Sequence, residues 1–226
     1  MDIHKPKPWH GWAEFLKEIG TIVIGVLIAL GAEQTVEWLH RSAEIRETRE
    51  AINEELVGNV TVAEVLLYED RCLLGVGDRI MAWANGGPRN RAPTMVSPVF
   101  TFTIWDLSAG PVSHMPLKEK FADARFYEAL RNEQSLAATT RAQATRLGGL
   151  GGLPSLTPAE ARTLMQNVSE AHNILAASLG NAEWILRQGE AAGLHPLPLS
   201  PRTRELLRNE CDAGGLPAPD FDKPAV

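Results

Sequence analysis

The densest apolar stretch of the chain is Ile19-Gly20-Thr21-Ile22-Val23-Ile24-Gly25-Val26-Leu27-Ile28-Ala29-Leu30-Gly31-Ala32, which carries no charge and is bounded by Lys17-Glu18 and Glu33. A bilayer span normally takes roughly 17 to 25 residues, so the run alone also suits a buried core helix, an interfacial segment or the apolar part of a signal peptide. Its flanks lengthen it. Phe15 and Leu16 extend it on one side and Val36 and Leu39 on the other, while Lys17 can return its ammonium to the headgroups along its alkyl stem. Trp9 and Trp12 precede the run and Trp38 follows it. On a continuous helix Trp12 and Trp38 stand about 39 Å apart, which matches the roughly 40 to 45 Å between the headgroup regions where Trp prefers to sit. The pattern predicts a transmembrane anchor helix over 15–39 behind an N-terminal tail over 1–14. A cleaved signal peptide is the rival, with Lys5, Lys7 and Lys17 as its basic front. Against it, Leu30-Gly31-Ala32-Glu33 is a mediocre cleavage context and the helical pattern runs on through it.

Beyond Trp38, Ile45, Ile52, Leu56, Val60, Ala63, Leu67, Leu74 and Met81 recur at gaps of three, four and seven, the helical period. Glu47, Glu50, Glu54 and Glu55 alternate with Arg46 and Arg49 as a solvated face. A long helix is therefore expected to leave the membrane and end at Asn85-Gly86-Gly87-Pro88. After a loop to about Ser97-Pro98, Val99-Phe100-Thr101-Phe102-Thr103-Ile104-Trp105 suits a strand, whereas Thr103-Ile104-Trp105-Asp106-Leu107 suits a short helix. The helix is preferred, because an isolated strand leaves its ladder unsatisfied. Pro116 with Leu117, Phe121, Ala124, Leu130, Ala137 and Ala144 predicts a helix ending near Leu147, with Gly148-Gly149-Leu150-Gly151-Gly152 as the turn after it. Thr157-Pro158-Ala159-Glu160 has the form of a capping box with Pro at the first helical position, and Leu164, Val168, His172, Leu175, Leu179 and Leu186 follow on one face. Ser200-Pro201 opens a short helix through about Cys211. Pro217-Ala218-Pro219-Asp220-Phe221-Asp222-Lys223-Pro224 has too much Pro for a helix and little apolar content. The fold class expected is mostly α: a single N-terminal transmembrane helix continuing into a helical-bundle-like soluble domain over 40–213, with a flexible tail over 214–226.

Charge changes this picture little. The net charge of −6 and pI near 5.6 disfavour a nucleic-acid partner, since phosphate binding needs a basic face. Lys5, Lys7 and Lys17 before the span balance Arg41, Arg46 and Arg49 after it. The immediate neighbours, Lys17 against Glu33 and Glu37, favour a cytoplasmic N-terminus with the domain outside. Within the span Thr21, Gly25 and Ala29 form a small-residue stripe that suits helix pairing, or simply reflects how common small residues are in such helices. Cys72 and Cys211 match no metal or redox spacing. They are either two small buried thiols or one long-range disulfide, an option an oxidising compartment opens.

The chemistry-bearing residues form no familiar constellation. None of His4, His10, His40, His114, His172 and His195 is spaced with another His or a Cys for a metal, and Glu170 and His172 point to different helix faces. The glycine run at 148–152 lacks the Gly-Lys-Ser/Thr of a phosphate loop. Ser108-Ala109-Gly110 and Ser178-Leu179-Gly180 supply hydroxyls without an elbow or an assignable base. No catalytic residue, metal or cofactor is expected. Trp105 with Asp106, and Phe126 beside them, are candidates for either a ligand pocket or an ordinary core.

Glu18 to Leu30, followed by Trp38 and a Glu/Arg-rich helix carrying Asn53-Glu54-Glu55-Leu56 and Asn59, resembles a group of uncharacterised bacterial proteins with one N-terminal membrane helix and a helical domain of unknown function. Phe102-Thr103-Ile104-Trp105-Asp106 and Phe126-Tyr127 extend the resemblance. It implies a single-pass protein of a bacterial inner membrane and carries over no catalytic residue. The function expected is a membrane-anchored structural or protein-interaction module, its partners the lipid bilayer and either a second copy or another envelope protein. The alternatives are an extracytoplasmic ligand-sensing bundle and an enzyme of unidentified class.

Overall fold

The computed structural model describes residues 11–88, 99–151 and 155–223, the side chains of 148–151 excepted. These residues hold six helices and no strand: α1 Gly11–Ala84, α2 Thr103–Leu107, α3 Ala109–Ser113, α4 Leu117–Gly151, α5 Pro158–Ala191 and α6 Pro201–Gly214. Trp9, Lys5 and Lys7 lie outside the described residues. The chain divides into two compact units, Met1–Thr48 and Arg49–Val226. Ile45 is half-buried, and the core of the second unit begins at Ile52.

In the first unit α1 presents its large apolar side chains outward on every side, including Ile22, Ile24, Leu27, Ile28 and Leu30. Two hydroxyls fold back on the helix, Thr21 Oγ1 donating to Lys17 O at 2.9 Å and Thr35 Oγ1 to Gly31 O at 2.7 Å. Each hydroxyl proton is thereby satisfied within the helix, as an apolar surrounding demands.

In the second unit Ile52, Leu56, Val60, Ala63 and Leu67 of α1 share one core with Tyr127, Leu130 and Ala137 of α4 and Ala182, Ile185 and Leu186 of α5. The predicted stripe departs from this core at Leu74 and Met81, which are half-buried. Burial moves instead to Cys72, Leu73 and Val76 beside Gly75 and Gly77, where missing side chains let neighbours close in. A Cβ on Gly77 would stand 2.2 Å from His172 Nε2. α5 begins on the predicted capping box, with Thr157 Oγ1 accepting from Glu160 N at 3.3 Å and Glu160 Oε2 accepting from Thr157 N at 2.7 Å.

Two expectations are corrected. α4 does not end near Leu147 but runs through Gly148 to Gly151. Glycine weakens a helix by about 1 kcal/mol relative to Ala but keeps its N–H donor, so a glycine run does not by itself stop one. α6 passes Cys211 and ends at Gly214, where Gly215 takes the left-handed conformation at φ 72° and Leu216 N donates to Cys211 O at 2.9 Å. Such a glycine at the position after the helix frees the chain to turn back and satisfy the last carbonyls. In the segment after α6 the ring of Phe221 meets Tyr68 edge-on at 5.4 Å, with the guanidinium groups of Arg204 and Arg208 over it at 5.7 and 5.5 Å.

Candidate functional site

One described helix, α1, is long and apolar enough to cross a membrane, and the apolar window within it has no buried residue. Leaving that surface in water is unfavourable at roughly 25 cal/mol per Å², so lipid is the surrounding its chemistry suits. Trp12 and Trp38 are exposed on either side of the run, at 80 and 65 %, and Lys17 is exposed with them. Thr21, Gly25 and Ala29 are exposed as well, and a Cβ placed on Gly25 meets nothing within 4 Å.

The structure leaves Trp105 half-buried and Phe126 buried, each against another aromatic ring. Trp105 stacks on Tyr127 with ring centroids 4.7 Å apart and planes 20° apart, while Phe126 is buried and tilts against Trp184 at 6.4 Å. Asp106 is exposed and pairs with Arg131. Two residues of α1 one turn apart hold this region in place. Glu55 accepts from Ile104 N at 2.9 Å and Trp105 N at 3.4 Å, capping the first turn of α2, and also from the Tyr127 hydroxyl at 2.7 Å. Burial first, then the Glu55 carboxyl, pushes the Tyr127 hydroxyl's pKa up. Asn59 brackets the segment before α2, donating to Thr101 O at 2.7 Å and accepting from Thr101 N at 2.9 Å. A side-chain amide thus pairs with both backbone groups of Thr101, as a neighbouring strand would, and pins the segment before α2 to α1.

A buried polar network lies deeper, where α1, α4 and α5 meet. Glu133 of α4 and Ser178 of α5 are fully buried and Asp70 of α1 is 3 % exposed. Ser178 Oγ donates to Glu133 Oε1, and Glu133 Oε2 accepts from Asn181 Nδ2 at 2.8 Å. Asn181 Nδ2 also donates to Ala129 O at 2.9 Å. Ser178 also lies near enough to Asp70 to favour that residue's ionised form. Burial, opposed by the Ser178 bond and aided by the nearby Glu133 charge, raises Asp70 from its usual 3.8 to about 7. Burial likewise raises Glu133, against the pull of Ser178 and Asn181.

The seam between α1 and α6 continues the cluster. Cys72 and Cys211 are joined in a disulfide with Cα atoms 4.5 Å apart. Gly75 and Gly214 let the two backbones touch: a Cβ on Gly214 would stand 2.6 Å from Cys72 O, and one on Gly75 2.8 Å from Gly214 O. Arg79 Nη1 donates to Ala213 O at 3.1 Å and Asp212 O at 3.3 Å, closing the end of α6. Beside Cys211 sits Glu210, fully buried, with neither carboxyl oxygen hydrogen-bonded. Burial first, then the Glu69 and Asp70 charges, raise it from 4.5 to about 9.

Sequence reasoning singled out Trp105, Asp106, Phe126, Cys72 and Cys211. It missed Asp70, Glu133 and Glu210, since isolated acids read as solvated helix faces. The remaining signal was that Glu69-Asp70 and Glu210 flank the two cysteines. Among the described residues no group of three or more His, Cys, Asp and Glu is arranged to hold a metal ion. Compared with known proteins, the chain matches no family model, no curated protein and no solved structure.

Proposed function

We propose that this chain is a membrane-anchored structural or protein-interaction module, crossing a bacterial inner membrane once and carrying its helical bundle on the periplasmic side. The observation that carries the reading is the uncharged, wholly outward apolar surface of 19–32, bracketed by Trp12 and Trp38. The cysteine pair supports the outside placement, because disulfides persist in oxidising compartments and are rare in reducing ones. The resemblance to single-pass bacterial proteins supports the inner membrane as the location. Partners under this reading are lipid, a second copy paired through Thr21, Gly25 and Ala29, and an envelope protein bound to the bundle. A ligand-sensing role draws less support, because Trp105 and Phe126 spend their ring faces on Tyr127 and Trp184.

The test joins topology to association. Reporters active only in the periplasm, fused after Arg41 and after Val226, are expected to be active at both sites, and cytoplasmic readout at both overturns the orientation. Crosslinking in intact membranes, followed by detergent extraction and mass measurement, is expected to give a discrete dimer or a complex with another envelope protein. A strictly monomeric species with nothing crosslinked sinks the interaction role.

A further inference from the structure

The seam between α1 and α6 is built unlike the rest of the core. In the neighbouring network Glu133 accepts from Ser178 and Asn181, while Asp70 keeps one oxygen, Oδ2, without a donor. Glu210 is fully buried and neither of its oxygens meets a donor. The groups facing it from α1 are Glu69 and Asp70, both acidic. Near Asp70 stands Glu133 of α4, bonded to Ser178 of α5, and Arg141 of α4 lines a small niche with Glu69, Asp70 and Thr140. Arg79 of α1 is spent on the carbonyls of Asp212 and Ala213, Arg208 of α6 lies over Phe221, and His172 of α5 packs at Gly77, 4.0 Å from Asp78. A carboxylate at position 210 would therefore be a buried charge facing like charges, a state that costs several kcal/mol per ion in proteins. Neutral, the same side chain fits. Release of its proton is relieved when α6 moves away from α1, a movement that the bond between Cys72 and Cys211 one residue on restrains.

We propose that α6 is a latch on the bundle with two locks, a proton on Glu210 and the Cys72–Cys211 disulfide, which opens only when both are released. Reduction by a dithiol breaks the sulfur–sulfur bond: two electrons and two protons pass to Cys72 and Cys211 as two thiols, and the dithiol becomes a disulfide. Deprotonation of Glu210 then returns a carboxylate to water as α6 swings out. Folded Glu210 holds its proton to about pH 9, against 4.5 ordinarily, so closure is most favourable in acid and weakens as pH rises across that window. Opening exposes the Gly75 face of α1 together with both thiols, so the latch couples the bundle's surface to the thiol balance and acidity of its compartment. This goes beyond membrane anchoring and does not depend on which side of the membrane holds the bundle.

Hydrogen exchange on the full chain in lipid nanodiscs reads the latch directly, with the α5 amides as internal reference. After reduction, the opening constant of α6, corrected for intrinsic exchange, is expected to rise by at least about tenfold between about pH 6 and about pH 9, a single group setting a ceiling of roughly tenfold per pH unit. With the disulfide intact α6 should stay closed at both values. Glu210→Gln, which imitates the neutral acid, should abolish the pH response of the reduced protein, as should Glu210→Met if the amide variant folds poorly. Three results each overturn the proposal: equal α6 protection at both pH values in the reduced wild type, opening with the disulfide intact, or a pH response surviving both substitutions. The last would place the titrating group on the freed thiols or on Asp70.

Discussion

Ser178 gives its one hydroxyl proton to Glu133 in a dry site, and the first test at the scale of single residues follows from that bond. Ser178→Ala leaves Glu133 Oε1 without its donor. The expected cost is roughly 1 to 3 kcal/mol, read as a lower denaturant midpoint for the bundle of the full chain in detergent. Asp70 makes the site pH-dependent in a defined direction. Its folded value of about 7 lies above its ordinary 3.8, so its contribution is whole below about pH 4 and is lost as pH climbs through 7. Thermal unfolding midpoints should fall over that interval, and Asp70→Asn should flatten the fall; an unchanged profile in the variant would remove Asp70 from the account. These residues were not legible in the sequence, because burial of an acid is decided by partners on three different helices. Asp70, Glu133 and Ser178 are 45 or more positions apart along the chain, and no local pattern registers such a meeting.

Elements were legible where their signals are local. The capping box at Thr157 and Glu160 reports its own geometry within four residues, and Thr157→Ala should cost about 1 kcal/mol, measurable as faster exchange in the first turn of α5. Pro201 and Ser200 open α6 by the same local logic, with Ser200 Oγ accepting from Thr203 N at 3.1 Å. Glycine was the ambiguous sign. The run at 148–151 lies within α4, whereas Gly75 and Gly214, unremarkable in sequence, set how closely α1 and α6 approach. Gly214→Ala forces a Cβ to 2.6 Å from Cys72 O, so the helices must separate, at an expected cost of roughly 1 to 3 kcal/mol as in other overpacked contacts. Chemical denaturation of the oxidised protein checks it, and an unaltered midpoint would mean that the seam yields without loss. The segment 99–102 shows the opposite limit. Its strand-like composition was readable, but the group that pairs with Thr101, Asn59, lies 42 positions away, beyond the reach of any local pattern.

For the whole molecule, the outline of one apolar helix and a helical bundle was legible because both rest on period and composition. The closure of the bundle was not, because it depends on where residues 72 and 211 meet. Thiol labelling of denatured, unreduced protein from its native compartment is expected to find both cysteines blocked in a monomer; two labelled cysteines per chain would show that the bond does not form there. Where it forms, reduction should lower the stability of the bundle by up to about 4 to 5 kcal/mol on the chain-entropy argument, for a separation of 139 residues, read from denaturant midpoints with and without reductant. That separation also sets an order of events during biosynthesis. At ordinary elongation rates of about 5 to 20 residues per second, Cys211 follows Cys72 by roughly 7 to 28 s. Through that interval the nascent chain displays an unpaired thiol and a bare glycine surface on α1. A chain that stalls before α6 keeps displaying them, which gives a folding catalyst or a protease the means to tell an unfinished chain from a finished one.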